Sequence, residues 1–160
     1  MKAANSGKII CLFLGILSGC GAQNKVEVGE QAPSFRLKSL DGAWVESDSF
    51  SGNAVILNFW ATWCTPCMTE IPELKKVAAN SEVEVVGIAL DQGGVERVKR
   101  FVEREGINYT VLLGDQEVFQ HFNGYGIPYT LVLDRDHKIA KVYRGAVTRE
   151  MLQRDLRTIM

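Results

Sequence analysis

Apolar residues along most of this chain alternate between two spacings, one suited to strands and one to helices. Phe35 and Leu37 alternate with polar neighbours, and Asp41-Gly42 is a hairpin turn signal ahead of a return strand at Trp44-Val45-Glu46. Val55 to Trp60 is a short apolar run of the kind a buried strand carries. From Cys64 onward Met68, Ile71, Leu74 and Ala78 fall at helical spacing, and Pro72 predicts a kink in that helix. Val83 to Leu90 predicts the next strand. Val95, Val98, Phe101 and Val102 mark one face of a helix that Gly106 ends. Thr110 to Leu113 predicts a short strand, and Asp115 caps a brief helix through Phe122. Tyr129 to Leu133 and Ile139 to Tyr143 predict two strands joined by a polar turn at Asp134 to Lys138. Thr148 then caps a last helix with Leu152, Leu156 and Ile159 on its apolar face. Strands alternating with helices predict an α/β domain with helices on both faces of the sheet.

The first twenty residues break the pattern. Lys2 and Lys8 give a positive start, and Ile9 to Leu17 follow as an apolar run interrupted only by Gly15. A bilayer-spanning helix takes roughly 20 apolar residues, so this run has instead the dimensions of the apolar segment of a secretory signal. Leu17-Ser18-Gly19-Cys20 resembles the lipobox of bacterial lipoproteins, in which the cysteine is lipidated and becomes the new N-terminus. An ordinary signal peptide and a short uncleaved anchor are the alternatives. The expected organisation is a signal over residues 1–19, a tether over 20–29 after the lipidated Cys20, and one domain over 30–160. That domain is long enough to bury its own core.

A formal charge of −1 with no run of basic residues lacks the clustered positive signature of nucleic-acid binding. The four cysteines reduce to two: Cys11 leaves with the signal, and lipidation caps Cys20 as a thioether. Cys64 and Cys67 remain. One close pair in an exported domain is no disulfide-stapled scaffold, so the pair is there for chemistry.

The pair lies where a buried strand ends and a helix begins. N–H groups in the first helical turn have no intrahelical partner, and the helix dipole adds positive potential there. Both favour thiolate over thiol, so a lowered pKa is expected at Cys64. Two intervening residues set Cys67 about one turn on, facing inward, so Cys64 can attack a disulfide and Cys67 can resolve the mixed disulfide. Pro66 suits a first turn because its missing N–H is not needed there. Zinc would need two further ligands, whereas His121 and His137 lie on separate segments. A purely structural bridge gains little from so tight a loop.

Asn58-Phe59-Trp60-Ala61-Thr62-Trp63-Cys64-Thr65-Pro66-Cys67, followed by Glu70 and Pro72, resembles the active-site segment of the TlpA/ResA-like branch of the thioredoxin superfamily. The likeness runs from about Val28 to the C-terminal helix. It implies a thioredoxin-like fold, a central mixed β-sheet flanked by helices with an N-terminal β-hairpin extension. It also implies an exported, membrane-anchored and usually reducing protein without a bound cofactor. Such proteins pass electrons from a membrane electron donor to disulfide-containing exported proteins, apocytochromes c among them. By the same likeness Ile127-Pro128 is a cis-proline loop opposite the cysteines, leaving the Ile127 backbone to pair with an extended substrate. The resemblance also implies that Glu70 is the acid that moves protons during exchange, since Asn58 stands where thioredoxin has an ionisable aspartate. Trp63 flanks the nucleophile as a substrate contact or a core filler. Tyr129 follows the proline where a smaller residue is common, which is expected to narrow the groove, and His137 takes a turn position often held by glycine. A disulfide oxidase or isomerase, a thiol peroxidase and a metal-binding lipoprotein are the alternative functions.

Overall fold

The structure is a computed structural model and describes residues 26–79 and 82–160. The expected signal over residues 1–19, the lipidation site Cys20 and the first part of the tether lie outside the described residues. Packed chain reaches back further than residue 30. Val26 is buried against the core, and the Gly29 N–H donates to the Ile139 carbonyl at 2.8 Å. The last four residues of the expected tether therefore lie against the domain.

Strands β1 (Arg36–Ser39) and β2 (Trp44–Glu46) form the hairpin turned by Asp41-Gly42, with a 3-10 turn over Ser47–Phe50 after it. Next come β3 (Ala54–Trp60), α1 (Thr65–Ala78), β4 (Val83–Ala89), α2 (Val95–Glu105) and β5 (Thr110–Leu113). The chain ends with α3 (Gln116–His121), β6 (Tyr129–Leu133), β7 (Ile139–Arg144) and α4 (Arg149–Leu156). The caps fall where the sequence places them. Asp115 and Thr148 accept the N–H groups of Val118 and Met151, and Gly106 closes α2 in the left-handed region at φ 58°. Helix α1 continues past Pro72 to Ala78, buried on one side by Cys67, Ile71 and Leu74.

The strands form one mixed sheet in the order β2-β1-β5-β4-β3-β6-β7. β3 runs parallel to β4, and β4 to β5, while β6 and β7 are antiparallel. The N-terminal hairpin joins this sheet through antiparallel pairing of β1 with β5. All seven residues of β3 are buried, which is why its sequence reads as an unbroken apolar run except at Asn58.

Alternation along β3 divides the core. Val55, Leu57 and Phe59 meet Phe119 of α3, Phe122 and Tyr129 on one face. Ala54 and Ile56 lie under α1 and α4 on the other, where Trp60 meets Phe101 of α2 at 5.2 Å between ring centroids. Asn58 shares this second face. Tyr129, expected to narrow a substrate groove, is instead fully buried, and its hydroxyl donates to the Phe122 carbonyl at 2.9 Å. Its place on β6 turns it to the Phe59 side of the sheet, into the core. His137 adopts φ 59°, the left-handed turn conformation that makes glycine common at such a place.

Candidate active site

The end of β3 delivers the chain to the start of α1, and Cys64 is the residue that caps the helix. The Cys67 N–H in the first turn is shared between Cys64 Sγ at 3.3 Å and the Cys64 carbonyl at 3.1 Å, so a backbone donor faces the sulfur. Pro66 occupies the first turn. Cys64 and Cys67 form a disulfide with 5.3 Å between Cα atoms. Cys64 keeps 4% of its surface exposed and Cys67 none, so the sulfur nearer solvent is the one at the helix tip. The loop before them is fastened to the end of β4: Asp91 accepts the Thr62 N–H at 2.9 Å and the Thr62 hydroxyl as well.

One turn beyond Cys67, Glu70 is completely buried. Asn58 Nδ2 donates to its Oε1 at 2.7 Å and to Thr130 Oγ1 at 2.9 Å, and the Val147 N–H donates to its Oε2 at 3.1 Å. Burial pushes the carboxyl up to about 7 from an ordinary 4.5; the bonds from Asn58 and Val147 pull it back but do not win. Glu70 thus sits near the middle of its titration at neutral pH. No ordinary surface carboxylate does.

The Ile127-Pro128 peptide is cis, as the resemblance implies, and the Pro128 carbonyl accepts the Gly145 N–H at 2.9 Å. A groove of about 660 Å³ is walled by Trp63, the residue before Cys64, and by Ile127, the residue before Pro128. Asp91, Arg97, Phe119 and Tyr125 are among the other residues that line it. Trp63 is 64% exposed and Tyr125 77%, so Trp63 is no core filler. A smaller cavity of about 290 Å³ lies over the sheet face that carries Val55 and Leu57, with Phe122 also lining it, and shares no residue with this groove. Among the described residues no three His, Cys, Asp or Glu side chains are grouped to hold a metal ion.

The family model described as AhpC/TSA matches residues 28–155. The chain belongs to the AhpC/TSA family. It is 31% identical over 141 residues to the thiol-disulfide oxidoreductase ResA of Bacillus thuringiensis subsp. konkukian (strain 97-27), a match spanning 86% of this chain and 81% of that one. Among solved structures, a thioredoxin-family thiol:disulfide interchange protein from Chlorobium tepidum TLS is 33% identical, with a TM-score of 0.70 over 81% of this chain and 94% of that one. A putative thiol:disulfide interchange protein DsbE from Chlorobium tepidum, at 24% identity, shares the fold with a TM-score of 0.78 over 84% of this chain and 99% of that one. This AhpC/TSA chain is a thiol–disulfide oxidoreductase with a thioredoxin-like fold, and Cys64–Cys67 is its CxxC disulfide.

In this member of the AhpC/TSA family, four of the residues singled out from the sequence lie around one end of β3 and α1: Cys64, Cys67 and Trp63 at the tip and Glu70 beneath. Ile127 and Pro128 approach from the loop before β6. Sequence reasoning missed the donors that hold Glu70, Asn58 and the Val147 N–H, and Thr130, which accepts from the same Asn58 amide. A signal was there to read. Asn58 is a polar residue inside an apolar run, and such a residue needs a buried partner. Glu70 falls three residues after Cys67 and four before Leu74, on the same stripe.

Proposed function

We propose that this protein is a membrane-anchored reductant of disulfides in exported proteins, apocytochromes c among them, recharged by a membrane electron donor. Cys64 is the nucleophile. Its thiolate attacks one sulfur of the client disulfide, the client S–S bond breaks, and one client thiolate leaves. Glu70 takes the proton of Cys67; the Cys67 thiolate then attacks Cys64 Sγ, forming Cys64–Cys67 and releasing the second client thiolate. The client gains two electrons and the protein loses two. Ile127 and Pro128 bind the client as an extended segment laid beside the loop, and Trp63 covers the reacting sulfurs from the other side.

The observation that carries this reading is a helix-capping Cys64 directly in front of a buried carboxyl held at about 7. A carboxyl half-ionised at neutral pH accepts a thiol proton and gives it back, as a two-thiol cycle demands. Equilibration of the Cys64–Cys67 pair with glutathione tests the direction. A potential below about −220 mV is expected, and one near −120 mV would mark an oxidant instead.

The anchor rests on the lipobox-like Leu17-Ser18-Gly19-Cys20 and on the resemblance, which together point outside the cytoplasm. Among the described residues no helix is long and apolar enough to cross a membrane, so attachment falls to the segment before them. Mass spectrometry of the protein extracted from cell membranes is expected to find an N-terminal lipidated Cys20. A mature chain starting elsewhere, or an unmodified Cys20, removes the anchor from the proposal.

A further inference from the structure

Beside Glu70 three polar atoms are buried without a protein partner among the described residues: Asn58 Oδ1, the Trp60 Nε1–H and the Tyr109 hydroxyl. The three residues meet around Gly87, two of them from β3 and Tyr109 from the segment before β5. Asn58 and Trp60 are two residues apart on β3 and share a face, and Asn58 stands opposite Gly87 in the β3–β4 register. A Cβ on Gly87 would lie 2.8 Å from Trp60 Nε1 and 3.1 Å from Tyr109 Cε2. Tyr109 enters from the segment before β5, on the far side of β4, and only the missing side chain at Gly87 leaves its ring room there.

The Asn58 amide cannot relieve its own carbonyl, since its Nδ2 already serves Glu70 and Thr130. Burial, and then the Glu70 carboxylate, push the Tyr109 phenol well above its usual range, so it stays protonated and remains a donor. Two donors and one acceptor gathered about Gly87 complement a single water molecule. The water accepts from Trp60 and Tyr109, donates to Asn58 Oδ1 and keeps one O–H. Glu70 has lone pairs left to receive it, because Asn58 and Val147 supply one bond to each oxygen.

We propose that Asn58, Trp60 and Tyr109 form a site for one buried water molecule whose remaining O–H points to Glu70, which makes Tyr109 a positioning residue for the proton exchanged with Cys67. The role of Tyr109 rests on the proton-transfer role of Glu70 proposed above; the water site stands on its own geometry. Among the described residues the titratable groups near Glu70 are Cys67, one turn earlier on α1, and Tyr109. β3, β6 and the segment before α4 present only Asn58, Thr130 and the Val147 N–H.

Two measurements test the site. An atomic-resolution crystal structure of the oxidised protein is expected to show an ordered water within hydrogen-bonding distance of Asn58 Oδ1, Trp60 Nε1 and the Tyr109 hydroxyl; a dry site overturns the proposal. Tyr109→Phe keeps the ring in the Gly87 gap and removes one donor. The loosened water then favours the Glu70 carboxylate less, and the pH midpoint of the second exchange step is expected to rise by about half a pH unit. A midpoint equal to that of the unmodified protein overturns the role of Tyr109, whereas a merely structural tyrosine would lower stability alone. Glu70→Gln separates the two readings. If it leaves the pH profile unmoved, the Glu70 role fails and takes the Tyr109 role with it, while the crystallographic result still decides the water site.

Discussion

Replacing Cys67 by serine is expected to yield a protein that attacks disulfides and cannot let go of them. Cys64 at the helix tip keeps its N–H donor environment and its share of exposed surface, so the first exchange proceeds and a mixed disulfide forms. The second exchange needs a thiolate at position 67, and a serine hydroxyl is no substitute at neutral pH. The adduct should persist until an external thiol is added, and non-reducing electrophoresis with mass spectrometry reads it directly. Cys64→Ser has the opposite phenotype. Its remaining thiol is fully buried, so neither adduct nor turnover above a protein-free control is expected. If instead Cys64→Ser trapped clients and Cys67→Ser did not, the roles of the two sulfurs would be reversed. The same trap captures clients from an envelope fraction, and finding no apocytochrome c among them would remove that client class from the proposal.

Glu70→Gln carries the second large effect, on rate and on stability together. With the proposed base gone, deprotonation of Cys67 is left to solvent, which does not reach this fully buried residue. General-base contributions of this kind are worth about 10² in rate or more. Rapid-mixing measurement of mixed-disulfide decay is expected to show that loss at pH 7, with attack by Cys64 unaffected. An equal loss in both steps would mean that Glu70 acts on the fold and not on the proton.

Stability follows from the same shift. The folded protein holds the Glu70 proton up to about pH 7, while the unfolded chain releases it near 4.5. Between those values the native state binds more protons, so stability falls as pH rises through that window and levels off above it. The full difference is about 3 kcal/mol, present below pH 4.5 and absent above 7. Urea unfolding of the oxidised protein at several pH values should show this slope, and Glu70→Gln should flatten it. At pH 8 the variant gains from losing a buried charge. Part of that gain is offset, because a glutamine amide turns a donor toward the N–H of Asn58 or Val147. A slope identical in both proteins would sink the assignment of the shifted carboxyl.

The order of strands and helices is legible in the sequence because local periods and caps carry it. Asp115, Thr148 and Gly106 mark element ends through their own backbone or side-chain chemistry, independent of distant contacts. The cysteine pair is legible for the same reason, being a local motif at a strand-to-helix junction. Tyr129 shows where local reasoning stops. Its position after the proline suggests a groove residue, but which way it points is set by β6 pairing with β3, and that pairing turns it into the core. Trp63 shows the converse, an aromatic side chain left exposed at the helix tip.

By itself, the sequence determined the succession of elements, the thioredoxin-like class and the two sulfurs that do the chemistry, since each of these depends on residues close together along the chain. Only the tertiary structure decided that the N-terminal hairpin pairs with β5, that Asn58 reaches Glu70 across twelve residues and that Val147 closes on the same carboxyl from seventy-seven residues away. The physical reason is that a carboxyl's proton affinity depends on what surrounds it in space. Burial beneath a sheet raises Glu70 to about 7 against the pull of two N–H donors from distant segments, and no window of sequence contains all of these groups.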